Sequence, residues 1–295
     1  MSVNREPIGS PPQDHLAEIR AGERFRFGKN WQHYSRLIDA ERITSAEDSL
    51  RNYLGDLTGK TFLDIGSGSG LFSLAATRLG ARVTSFDYDP DSVAATRKCR
   101  ELHCPGDADW KVVGEGSVLD SAFLATLSTF DIVYSWGVLH HTGAMWAAFA
   151  NVVSLVKPGG LLYISIYNQQ HYFSAFNTRI KKAYVGSNVA GRAVIGGSFV
   201  AFQAVKGLVK DLALLRDPLE RYRAIKQKRG MSMFHDWIDW VGGYPFEVAK
   251  PEEVFDYFEG RGFRLLKLKT CGGGHGCNEF VFQREAAVER PQPRT

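Results

Sequence analysis

From residue 46 onward, short apolar runs alternate with amphipathic stretches of helical period. The runs at 62–65, 83–86, 110–113, 131–135 and 161–167 read as strands, with a turn at 157–160 leading into the last of them. Helices are predicted over 46–54, 71–79, 91–102 and 147–156. A further helix over 251–260 precedes two final strands at 264–269 and 280–283. Strands and helices in this order predict an α/β fold: a doubly wound, mostly parallel sheet of seven strands. Residues 168–250 break the alternation and predict a helical insertion after the fifth strand.

Composition narrows the picture without fixing it. With 295 residues, 44% of them hydrophobic, the chain can bury a full core. Its net charge of +4 is too weak to argue for nucleic-acid binding, and no nucleic acid is expected as a partner. Cys99, Cys104, Cys271 and Cys277 contain no C-x-x-C pair, so they signal neither a zinc ribbon nor a disulfide framework. Reduced thiols and a cytoplasmic location are expected. The first twenty residues hold Pro7, Pro11 and Pro12 but no apolar core, which argues against a signal peptide.

Residues 61–70 carry the chemistry: Thr-Phe-Leu-Asp-Ile-Gly-Ser-Gly-Ser-Gly, a buried strand running into three alternate glycines before a helix. Asp87 closes the next apolar run, where an acid can grip both hydroxyls of a ribose. The glycine spacing is G-x-G-x-G rather than the G-x-G-x-x-G of dinucleotide sites, and Asp64 stands two residues before it. A carboxylate there would repel a pyrophosphate and suit a cationic ligand such as S-adenosylmethionine (SAM). The motif resembles the first motif of class I SAM-dependent methyltransferases. Phe130-Asp-Ile-Val-Tyr-Ser-Trp-Gly-Val-Leu-His-His and Val156-Lys-Pro-Gly-Gly-Leu-Leu resemble the family's fourth- and fifth-strand motifs. Within the class, the sequence is most similar to ubiquinone-biosynthesis O-methyltransferases and related small-molecule enzymes.

That resemblance implies a division into an N-terminal arm and cover (1–44), a SAM-binding Rossmann-like core (45–167), a basic insertion acting as a substrate lid (168–250), the last helix and strands (251–285) and a disordered tail (286–295). It implies SAM as cofactor, with Asp64, Gly66, Ser67, Gly68 and Gly70 at the methionine end. Asp87 would hold the ribose, Tyr88 would flank the adenine, and Val118 and Trp136 would complete the site. The family usually places an acid after the third strand to hold the adenine amino group; here Ser117, or the backbone beside it, must take that role. A metal is not expected.

A hydroxyl acceptor must lose a proton during methyl transfer, and histidine suits that task near neutral pH. His140 and His141 follow the fourth strand, and His235 is a third candidate base. Trp237, Trp240 and Tyr244 offer flat apolar faces with polar tips for a substrate wall, although core packing explains the tryptophans equally well. The acceptor is expected to be small or lipid-linked, methylated on oxygen. Methylation on nitrogen or carbon, or a non-catalytic scaffold, are the alternatives.

Between 168 and 232 there are twelve basic and three acidic residues, a net of +9. Phe202, Val205, Leu208, Val209 and Leu212 share one helical face, bordered by Lys206 and Lys210. Three readings stand: a lid, a peripheral contact with an anionic membrane, or a dimer interface or anionic-substrate site. The apolar stretch 193–205 reads as too short to span a bilayer. The oligomeric state stays open.

Overall fold

The computed structural model describes residues 14–106, 109–214, 217, 240–274 and 276–286. Seven strands form one sheet: β1 (Thr61–Ile65), β2 (Arg82–Asp87), β3 (Trp110–Glu115), β4 (Phe130–Trp136), β5 (Val156–Tyr167), β6 (Phe263–Lys269) and β7 (Cys277–Arg284). Their order is β3-β2-β1-β4-β5-β7-β6. The first five run parallel, and β7 pairs antiparallel with both β5 and β6. This is the seven-stranded, mostly parallel sheet that the alternation predicts.

Helices cover both faces. One layer packs α3 (Ala40–Leu54), α4 (Leu71–Arg78) and α5 (Pro90–His103) on a core containing Leu50, Phe62, Leu74 and Trp110. The other packs α6 (Ser121–Ala125), α7 (Met145–Leu155) and α10 (Pro251–Glu259) on Leu63, Phe149, Phe258 and Phe282. Consecutive residues of β1 thus feed opposite cores, which is why its sequence is apolar almost throughout. Two short helices, α1 (His15–Arg20) and α2 (Gly28–Ser35), precede this unit, and α8 (His171–Gly186) and α9 (Val189–Ala213) follow β5.

Three details depart from the expectations. The helix expected over 46–54 begins at Ala40, where Asp39 caps it by accepting from the Arg42 N–H at 2.9 Å, so the division drawn at residue 44 falls inside a helix. The turn at 157–160 is a bulge within β5: Phe130 pairs with Val156 and Ile132 with Leu161. Pro158 has no N–H for the ladder, and Gly159 adopts φ +78°. Most consequential is α9. The helix continues well past the apolar stretch 193–205, to 25 residues in all, and by length and composition it could cross a membrane. The length argument against a span therefore fails. Only 11% of its most apolar window is buried. Of the tail expected over 286–295, residues 287–295 lie outside the described residues.

Candidate functional site

The chain leaves β1 through α4 on one side and returns through β4 on the other, so the sheet order reverses between β1 and β4. Ligands of open α/β sheets bind at the carboxyl ends of the strands beside such a reversal. Here a cavity of 1640 Å³ lies at that place, lined by Ile65 and Gly66 after β1, Asp87 and Tyr88 after β2, Ser117 and Val118 after β3, and Trp136 and Val138 after β4. Pockets that take one drug-sized ligand measure roughly 300–1,000 Å³, so the volume has room for two.

The glycine loop is shaped by its backbone. Gly66, Gly68 and Gly70 have φ of +78°, +55° and +81°, a region that side chains resist. A Cβ on Gly66 would lie 2.5 Å from Val138. Gly70 instead packs the start of α4 against Thr96 of α5. Ser67 bonds Thr96 at 2.9 Å and is buried. The Asp87 carboxylate accepts from the Gly68 N–H and the Asp89 N–H, both at 2.9 Å. A carboxylate has about four lone-pair positions, so two remain for hydroxyls. Burial raises Asp87 to about 6, against the opposing pull of those backbone bonds.

Asp64 is placed differently from the expectation. It is 2% exposed, does not line the cavity, and accepts the Ser73 hydroxyl at 2.6 Å. Burial pushes its carboxyl to about 7, despite the Ser73 bond. It braces the loop from below, because an aspartate between two buried strand residues points into the helix layer.

The N-terminal residues cover this end of the cavity. The Gly28 N–H donates to Asp89 at 2.7 Å, Arg26 pairs with Asp91 at 2.7 Å, and the Trp31 indole lies against Gly68. Arg24 donates to the His141 carbonyl at 2.8 Å and sits 4.9 Å from the Tyr88 ring centroid. Tyr88 in turn donates to Glu18 at 3.2 Å. His15, Arg24, Phe27 and Trp31 line the cavity as well, and the aromatic-basic character of 23–31 is the mark that the last three leave in the sequence.

His140 and His141 lie on a 3₁₀ turn after β4, and both border the cavity, yet they differ chemically. His140 is 1% exposed; its Nδ1 accepts the Tyr167 N–H at 3.4 Å, which puts its proton on Nε2. Burial holds it well below the usual histidine range. His141 has the opposite tautomer. Its Nδ1 donates to the Pro245 carbonyl at 2.6 Å, leaving a lone pair on Nε2. Burial brings its pKa down to about 3, so the lone pair is present at neutral pH.

The far wall comes from α8, α9 and the segment after them. Phe173, Phe176, Val194, Phe199, Phe202 and Trp240 line it. Trp240 stacks on Phe199 with centroids 4.8 Å apart and planes 9° apart. Tyr244 does not line the cavity; it packs with Phe25 and Tyr184, and its carbonyl accepts the Phe25 N–H. His235 and Trp237 lie outside the described residues. Among the described residues no cluster of three or more His, Cys, Asp or Glu could hold a metal.

Comparison with known proteins gives the same direction. Residues 38–241 match the methyltransferase-domain family, and the chain belongs to it. It is 37% identical over 114 residues to the ubiquinone biosynthesis O-methyltransferase of Xanthomonas oryzae pv. oryzae, covering 39% of this chain and 46% of that protein. The counterpart in Xanthomonas campestris pv. campestris is 37% identical over 113 residues, 38% of this chain and 45% of the relative. The match thus spans less than half the length of these curated relatives. An O-methyltransferase family protein from Burkholderia thailandensis shares the fold with a TM-score of 0.50 and 16% identity, over 92% of this chain and 68% of that one. Magnesium protoporphyrin IX methyltransferase from Synechocystis, solved with bound SAH, aligns over 94% of this chain and 90% of its own with a TM-score of 0.48 and 15% identity.

Proposed function

We propose that the protein is a SAM-dependent methyltransferase that methylates an oxygen of a small or lipid-linked acceptor. The observation that carries this reading is the placement of Asp87 and His141 in one cavity with volume for two ligands. Asp87, Tyr88, Ser117, Val118 and Trp136 would hold the nucleoside. The Asp87 carboxylate is already oriented by two backbone donors, so its free lone pairs present a fixed acceptor pair to the ribose hydroxyls. Gly66 lines the cavity and leaves room for Val138 beside it, and the Trp31 and Tyr88 rings would exclude water above the ligand.

When bound, SAM supplies a methyl carbon already activated by the sulfonium. What remains for this chain is to align the acceptor and take its proton. His141 is the side chain placed for the second task, because the Pro245 carbonyl fixes its Nδ1–H tautomer and leaves Nε2 free; burial makes it a weak base, so its contribution comes from position. His140, with its proton on Nε2 and its ring buried, supports the turn. Isothermal titration with SAM and S-adenosylhomocysteine tests the reading directly: saturable binding is expected, and no binding at millimolar concentration would end it.

A second reading adds where the acceptor comes from. The α9 face bearing Phe202, Val205, Val209 and Leu212 is about 60% exposed, and Lys206 and Lys210 flank it at the cavity rim. An apolar stripe bordered by cations favours peripheral contact with an anionic bilayer, from which a lipid-linked acceptor would enter the cavity.

A further inference from the structure

Lys181 is fully buried on α8, yet it does not line the cavity, and among the described residues it has no carboxylate partner. Desolvation of a lone ammonium is expensive, so a lysine kept there must be held by other groups. Three hold it. Its ammonium donates to the Trp240 carbonyl, lies 4.1 Å from the Trp240 ring centroid and 4.7 Å from that of Phe246. Cation–π contacts strengthen when desolvated, and both rings belong to one short segment.

That segment also carries the carbonyl that sets the His141 tautomer. Pro245 lies between the two gripped residues, and Phe246 packs on Tyr167, whose ring is 5.5 Å from His141 and 4.1 Å from His140. We infer that Lys181 is a positioning residue for His141: by clamping Trp240 and Phe246 to α8, it holds the Pro245 carbonyl where it fixes the imidazole with Nε2 free. The insertion therefore does more than cover the cavity. Through Trp240, which stacks on Phe199 of α9 and lines the cavity, the acceptor wall and the histidine share one anchor. The ammonium also keeps both rings neutral, an effect on their charge and not on the tautomer. Together with Arg24 it disfavours a proton on His141, and it disfavours one on His140 as well; burial, which lowers Lys181 itself to about 7, is the larger influence on both rings.

The inference builds on the reading of His141 as the base, but its test does not need turnover. In the full chain labelled with ¹⁵N-histidine, the ring nitrogens of His141 report the tautomer near neutral pH. Wild type should show one Nδ1–H form. In Lys181→Met, which keeps the stem and removes the donors and charge, the Nδ1–H to Nε2–H ratio should fall by about fivefold to tenfold, the factor of one neutral hydrogen bond. SAM affinity, measured by titration calorimetry, should stay within about twofold. Phe246→Leu removes one ring and leaves the lysine; it should move the ratio the same way by a smaller factor and serves if the first variant does not fold. A folded Lys181→Met, or failing that a folded Phe246→Leu, with His141 still wholly in the Nδ1–H form would overturn the inference and leave the methyltransferase reading untouched. A changed tautomer with unchanged turnover would instead remove His141 as the base.

Discussion

The His141 ring and the Pro245 carbonyl oxygen meet at 2.6 Å across 104 residues of chain, joining the turn after β4 to the segment that follows the insertion. A carbonyl can only accept, so the contact assigns the proton to Nδ1. His141→Ala should lower turnover by about 10²–10⁴ if the acceptor is a hydroxyl, while titration calorimetry shows SAM binding little changed. His140→Ala should act mainly through stability. With the His141 pKa at about 3, kcat should show no histidine-like decline as pH falls from about 8 to 6.

Asp87→Ala removes a charged acceptor and releases the Gly68 and Asp89 N–H groups. Such a loss costs roughly 1.5–3 kcal/mol, so SAM affinity should fall by about ten- to a hundredfold. In the wild type, affinity should also weaken as pH drops below about 6, where Asp87 takes up its proton. Calorimetry across pH measures both; an unchanged affinity in a folded variant would place the nucleoside elsewhere.

Asp64 gives the opposite kind of expectation. Its folded pKa of about 7 lies above the ordinary value of 3.8, so between those limits the folded protein binds more protons than the unfolded one. Stability contributed by this group is therefore present at low pH and lost as pH rises through that window. Asp64→Asn keeps an acceptor for Ser73 and removes the charge. Its Tm by scanning calorimetry should exceed that of wild type by a few degrees at about pH 8 and converge with it near pH 4. SAM affinity should change little, since the side chain does not line the cavity.

Trp31 lies on the glycine loop and lines the cavity, so it would cover a bound nucleoside. Trp31→Ala should raise the SAM Kd by about tenfold, chiefly through faster dissociation. Stopped-flow fluorescence separates the two rates. An unchanged dissociation rate would reduce the arm to packing.

The α9 face predicts co-sedimentation with anionic vesicles and little with neutral ones. Binding should weaken as added salt shortens the Debye length below ~10 Å. Val205→Asp together with Val209→Asp should abolish it without altering SAM binding, because neither side chain lines the cavity. Absence of binding at low salt would favour a soluble acceptor.

What the amino-acid sequence determined alone was local. Alternating apolar runs and helical periods fixed seven strands and their helices, because burial on both faces of a sheet leaves a mark within a few residues. The three glycines and Asp87 were legible for the same reason: the turn, the helix start and the strand end are each set by neighbours. What only the tertiary structure decided depends on where distant chain returns. Asp64 reads as a ligand to a cation until β1 turns its side chain to Ser73 in the helix layer. His140 and His141 read as equivalent until Tyr167 and Pro245 give them opposite tautomers. Lys181 reads as one of twelve basic residues between 168 and 232, and its burial between two rings carries no local signature. A tautomer or a pKa is set by the partner and the water lost at that point, and no spacing along the chain encodes either.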